Sequence, residues 1–178
     1  MKVFPTMPGK DIFLKSLCQF AIQNGADSAN IIEVKDIEFT DMPLDCPHDE
    51  RSFYYPQVIY KNDPIKDILK TYQFAVVFTI DKQQDLKKVY EVTSKVEAHC
   101  FYNNYHLAVG LAAGNCRKVF CSSKDNCQAM TQGKGCAFPM MARPSIEACN
   151  IDFDTLTYQS NISHYNKNEH FLGMVFVN

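Results

Sequence analysis

"QFAVVFTIDKQQDLKKVYEVTSKVEAHCFYNNYHLAVGLAAG", residues 73–114, is the stretch from which the fold class follows. It opens with a short, unbroken apolar run of strand length, consistent with a strand covered on both faces. The next segment brings apolar side chains back at helical spacing, with Leu86, Val89, Tyr90, Val92, Val96 and Cys100 on one broad face. "HLAVGLAAG" then returns to strand composition. A strand, a helix and a second strand in succession predict a sheet with helical cover.

Outward from this centre the pattern continues. "PGKDIFLKSLCQFAIQNGA" places Phe13, Leu14, Leu17, Phe20 and Ala21 at helical spacing, with Gly25 as a stop. "SANIIEVKDIEFTDM" has the β-branched content of one strand running on toward a second. Residues 43–63 hold three prolines and many turn formers, which reads as a long loop of the kind that often carries function. Asp63 and Pro64 have the residue types of an N-cap and first helical position ahead of "IKDILKTY". A short helix is expected around "PSIEAC", and "HFLGMVFVN" closes the chain as a last strand. The expectation is a single α+β domain over residues 1–178. Its sheet is mixed, with about four to five strands covered by helices.

Bulk properties exclude more than they assign. A chain of 178 residues, 46% hydrophobic and 21% charged, is of globular composition. It is long enough to bury about 70% of its unfolded surface without disulfide support. A formal charge of −2 supplies no general attraction to nucleic acid or to an anionic membrane. The longest apolar runs are too short to span a bilayer, and "MKVFPTMPGKDIF" lacks the apolar core of a signal peptide. A cytoplasmic protein is expected. In that compartment clustered cysteines bind metal or do redox chemistry more often than they form structural disulfides.

Four of the eight cysteines fall within "CRKVFCSSKDNCQAMTQGKGC", residues 116–136, spaced Cys116-x4-Cys121-x5-Cys127-x8-Cys136. Four thiolates can surround one zinc ion at about 2.3 Å or hold a larger iron–sulfur core. Either requires the chain to fold back repeatedly. Turn residues stand where that is needed: Gly114-Asn115 before the first cysteine, Ser122, Ser123, Asp125 and Asn126 in the middle, and Gly133 and Gly135 before the last. Between Asn115 and Cys136, Arg117, Lys118, Lys124 and Lys134 oppose only Asp125, four charges against one, a local +3 suited to an anionic metal–thiolate centre. The bland alternatives are four reduced thiols in a surface loop, or two reversible disulfides. Spacing alone does not choose the metal, since neither a C-x2-C zinc knuckle nor the C-x2-C-x2-C ferredoxin run occurs.

The fourth cysteine is followed at once by "AFPMMARPSIEACNIDF". Over residues 112–152 the chain resembles the DUF2284 family of predicted metal-binding proteins, which carry clustered cysteines followed by an A-R-P-S-x-E-A-x-G-I-D signature. The resemblance implies a cysteine-ligated metal centre held by Cys116, Cys121, Cys127 and Cys136, with Arg143, Ser145 and Glu147 around it. It also implies an iron–sulfur cluster, foremost 4Fe-4S, with zinc as the alternative cofactor. Pro144 holds Arg143 extended and starts a helix. Arg143 has a fork of donors for the anionic centre or Glu147, or for a structural salt bridge that fixes the loop. Asn150 replaces the family's glycine and is the next-best residue for a left-handed helix end. Upstream, the family's W-x-C-P-P-like segment corresponds to "SFYYPQ", with Tyr55 in place of the cysteine. Of a second site only Cys46 and His48 remain, as a degenerate remnant or as plain loop residues.

The other groups have simpler readings. Cys18, Cys100 and Cys149 are expected in the core, His99, His106, His164 and His170 show no ligand spacing, and Phe120 and Phe138 either roof the loop or simply pack. No glycine-rich phosphate loop, G-x-S-x-G elbow or Walker motif marks a stand-alone enzyme. Three functions follow in order: an iron–sulfur protein exchanging electrons with an unidentified redox partner protein, a structural zinc module, and an enzyme using Cys116 or Cys121 as a reactive thiol.

Overall fold

The apolar run at residues 74–81 becomes a strand with neighbours on both edges and cover on both faces, which is why it lacks alternation. It belongs to a sheet built from Ser28–Glu33 (β1), Phe74–Asp81 (β2), Val109–Ala112 (β3) and His170–Val177 (β4). The structure is a computed structural model that describes residues 10–40, 65–121, 127–162, 166 and 168–178. Strand order is β1-β2-β4-β3, and each neighbouring pair is antiparallel. One row across the sheet reads Asn30, Val77, Met174, Leu111, and the next reads Ile31, Val76, Val175, Gly110 on the opposite face.

β2 and β3 therefore run parallel with β4 between them, a split β-α-β unit closed by the C-terminal strand. The α+β class and a four-stranded sheet match the expectation. The sheet is antiparallel, not mixed as expected; one isolated parallel bridge, between Ala112 and Ser145, lies outside its strand pairs. β4 fills the space between the two parallel strands, so their pairing is antiparallel to it on both sides.

Lys10–Gln23 (α1) and Leu86–Tyr102 (α3) cover one face. Leu14, Leu17 and Ala21 from α1, with Val89, Tyr90, Val92, Val96 and Cys100 from α3, bury against Val76, Phe78, Ile80, Val175 and Val177. Each fully buried aliphatic or aromatic side chain of this kind contributes about 1.5–3 kcal/mol. Gly25, at φ +113°, ends α1, and the Ala26 N–H returns to the Ala21 carbonyl at 3.1 Å. Asp85 caps α3 by accepting from the Lys87 N–H at 3.0 Å.

The other face is covered by shorter pieces: Ile65–Leu69 (α2), a 3-10 turn at Val34–Asp36, another at Glu147–Cys149, and Phe153–Gln159. Leu69, Ile146, Cys149, Ile151 and Leu156 meet Ala75, Val77, Leu111, Leu172, Met174 and Phe176 there. The helix expected around "PSIEAC" is only the 3-10 turn. The helix at 153–159 has no counterpart in the periodicity reading, and Asp152 starts it by accepting from the Thr155 N–H at 2.7 Å. The expected loop at 43–63, with Cys46, His48, Asp63 and Pro64, lies outside the described residues. Among the described residues, no helix is long and apolar enough to cross a membrane.

Candidate metal centre

The loop begins where β3 ends. Gly114, at φ +81°, turns the chain, and both of its backbone polar groups are held by side chains. Its N–H donates to both Glu147 carboxylate oxygens, at 3.0 and 3.2 Å, and its carbonyl accepts from the Tyr90 hydroxyl at 3.1 Å. Asn115 then caps a short helix, Cys116–Phe120 (α4), by accepting from the Arg117 N–H at 2.9 Å. The Arg117 Nε–H reaches the same oxygen at 3.3 Å. Sequence reading took Asn115 only as a turn former and so missed α4.

That helix separates the first two cysteines. Cys116 is its first residue and Cys121 caps its end, so the five-residue step carries the chain about 7.5 Å along the axis and about 140° around it. Cys116 is half-buried and close enough to Tyr90 to act on its phenol. Tyr90 is fully buried, and its phenol titrates well above the usual value, first because of burial and then because of Cys116 and Glu147.

Cys121 has two other loop cysteines in its surroundings. Cys127 and Cys136 both lie near enough to Cys121 to act on its thiol, Cys127 the more strongly. Cys127 is buried at 7% exposure, just ahead of Gln128–Thr131 (α5). Cys121 and Cys136 are half-buried, and the Cys136 Sγ accepts from the Phe138 N–H at 3.3 Å. The donor set has the chemistry of a thiolate metal site: soft sulfurs and a backbone N–H directed at one of them. Among the described residues, no group of three His, Cys, Asp or Glu side chains is drawn tightly enough to hold one ion.

The electrostatics correct one expectation. The Cys121 thiol is pushed up, first by burial and then by Cys127 and Cys136, and Arg117 opposes this without reversing it. Crowded sulfurs disfavour each other's charge more strongly than this one cation favours it. Lys118 and Lys134 are exposed, and Lys124 lies outside the described residues.

The residues after Cys136 strap this loop to the sheet. The Ala112 N–H donates to the Pro144 carbonyl at 3.1 Å, and the Ile146 N–H donates to the Ala112 carbonyl at 3.2 Å. The Ser145 Oγ accepts from the Ala148 N–H at 3.0 Å, starting the 3-10 turn, and Asn150 ends it at φ +58°. The left-handed position expected at Asn150 is therefore present.

Arg143 forms a salt bridge, but with Glu97 of α3 and not with Glu147. Its side chain lies over Gly110 on the α3 side of the sheet, whereas Glu147 reaches the end of β3. The Nη1 group donates to the Ala142 and Pro139 carbonyls at 2.9 and 3.3 Å, and among the described residues the buried Nε has no hydrogen-bond partner. Glu97 also accepts from the Gly110 N–H at 3.1 Å. In the sequence Tyr90 counts only as part of the apolar helix face, and Glu97 carries no signal of its role. The detectable signal was a phenol hydroxyl on an apolar face, which needs a buried partner.

Phe120 packs edge-on against Tyr90 at 5.4 Å and stacks on Phe138 at 5.5 Å. Met140, 75% exposed, faces solvent. Cys100 and Cys149 are core residues, and Cys18 packs at the core edge. His99 stacks on Phe20 at 4.1 Å, His106 sits edge-on to Phe101 at 4.9 Å, and His170 accepts from the Asn166 N–H at 3.3 Å. His164 lies outside the described residues.

A family model described as "Predicted metal-binding protein (DUF2284)" matches residues 29–177. No curated protein and no solved structure matches the chain.

Proposed function

The chain belongs to the DUF2284 family of predicted metal-binding proteins, and from that premise we propose that its cysteine loop holds an iron–sulfur cluster. The observation that carries this reading is that Cys127 and Cys136 both lie within electrostatic reach of Cys121 in the loop that follows β3. Those three residues hold the cluster, and Cys116, at the other end of α4, is the fourth ligand.

When bound, the cluster supplies one-electron redox chemistry. The chain's own part is to bring the sulfurs together, direct the Phe138 N–H at Cys136, and shield one side with Phe120 and Phe138. Hydrogen bonds to sulfur and burial are the means by which a protein sets such a centre's potential. We read the protein as an electron carrier or redox accessory in the cytoplasm, exchanging electrons with a partner protein.

Anaerobic purification tests this. The expected protein is brown and contains iron and labile sulfide, with a visible absorption band that bleaches on reduction. Colourless protein with stoichiometric zinc would move the reading to a structural zinc module. Protein that takes up neither metal would reject a metal centre.

A further inference from the structure

Tyr90 is the largest fully buried side chain among the described residues, and two chains of contact leave it toward opposite ends of the cysteine loop. Its hydroxyl donates to the Gly114 carbonyl, two residues before Cys116. Its ring meets Phe120 at 5.4 Å, Phe120 stacks on Phe138 at 5.5 Å, and the Phe138 N–H donates to the Cys136 Sγ at 3.3 Å. We propose that Tyr90 is the positioning residue of the loop, bracing its first cysteine through the hydroxyl and its last through the ring.

The fold alone does not require the hydroxyl. Phenylalanine would fill the same volume between α3 and the sheet, without a polar group that burial obliges to find a partner. The hydroxyl instead completes a clamp whose other jaw is Glu147, so that the Gly114 peptide is held at both N–H and carbonyl. This peptide aims Asn115, and Asn115 caps the helix that starts with Cys116. Outer partners of this kind are worth about 10–100-fold in metal affinity. The inference rests on the metal-centre reading above, so its test has an arm that needs no metal.

Tyr90→Phe removes the hydroxyl and keeps the ring, and Tyr90→Leu removes both. In metal-free, reduced protein the alkylation rate of each cysteine is followed by mass spectrometry. Tyr90→Phe should speed labelling of Cys116 severalfold and leave Cys136 and the core Cys149 at wild-type rates. Tyr90→Leu should speed Cys116 and Cys136 together. Should Tyr90→Leu fail to fold, Phe120→Leu breaks the ring path from the loop side and should release Cys136. With iron and sulfide or zinc supplied, Tyr90→Phe should lose about 10–100-fold in affinity in competition with a chelator.

An unchanged Cys116 rate in Tyr90→Phe overturns the proposal. So does a raised rate with unchanged metal affinity, because the brace would then orient the loop without serving the centre. If the wild type takes up no metal, the metal-centre reading fails by itself, and the alkylation arm still decides whether Tyr90 braces the loop.

Discussion

The Arg143 guanidinium is paired with the Glu97 carboxylate across the gap between the cysteine-loop exit and α3, with both side chains largely buried, at 9% and 15% exposure. Glu97 also holds the Gly110 N–H, so one carboxylate ties α3 to β3 and to the segment after Cys136. Removing one member strands a buried charge, and that loss outweighs the net worth of the intact pair.

Glu97→Ala and Arg143→Ala should each lower unfolding stability by about 3–5 kcal/mol. Combining the two should recover part of that loss, because no buried charge is left unpaired. Urea denaturation of the two singles and the double measures the coupling. Single effects under about 1 kcal/mol that simply add would show the pair to be an ordinary surface contact.

Thiol chemistry should separate the cysteines into classes. Burial pushes Cys18 up to about 11 and Cys100 up to about 12, and it pushes the fully enclosed Cys149 up as well. A raised pKa leaves less thiolate near neutral pH, and the thiolate is the species that reacts. Iodoacetamide at mildly alkaline pH should therefore label half-buried Cys116, Cys121 and Cys136 well before Cys100 and Cys149. Peptide mass spectrometry over time reads the order directly, and early labelling of Cys149 would contradict its placement in the core.

Asn150 offers a backbone test. It stands at φ +58° and ends the 3-10 turn after the signature. Its carbonyl accepts from the Thr40 N–H at 2.8 Å, tying this turn to the segment after β1. Asn150→Gly should be neutral within a few tenths of a kcal/mol, and Asn150→Ala should cost about 1 kcal/mol, since alanine bears the Cβ strain of the left-handed region without the short polar side chain that offsets it in asparagine. Equal stability of the two variants would remove the conformational argument.

Asn150 also marks how far the sequence could be read. Its left-handed role was visible in one dimension because a backbone preference is local. The helix of Leu86–Tyr102 and the strands at 74–81 and 170–177 were visible for the same reason: periodicity or apolar length sits within each segment. What stayed hidden depends on neighbours that only folding supplies. Nothing around Arg143 distinguishes Glu97 from Glu147 as its partner, because the choice is made by which face of β3 the guanidinium crosses. The four loop cysteines were evident from spacing. The helix that sets Cys116 apart from Cys121 was not, because Asn115 serves equally well in a turn or as a cap.

Acid should uncouple one helix from the core. Asp152 starts the helix at 153–159, and its carboxyl is held below the usual value, chiefly by the Thr155 N–H. A depressed native pKa means that this contribution is complete above the unfolded carboxyl's pKa and is lost as pH falls through the folded value. Asp152→Ala should cost about 1 kcal/mol near neutral pH. The difference from wild type should vanish in acid, as urea midpoints measured across that range would show. A difference that persists unchanged below the folded pKa would assign Asp152 some role other than a charged cap.

The metal centre itself makes the sharpest demand on Cys127. It is the most enclosed of the four loop cysteines and acts on Cys121 more strongly than Cys136 does, so the proposed centre gives it the central place among the ligands. Cys127→Ser should therefore abolish stable metal uptake. Cys116→Ser, at the far end of α4, should leave a weaker but measurable site. Cys149→Ser, which buries a hydroxyl in the opposite core, should cost stability and leave metal content unchanged. Iron, sulfide and zinc analysis of the three variants, beside their denaturation curves, separates loss of ligation from loss of fold. Full metal content in Cys127→Ser would place the centre away from these three sulfurs.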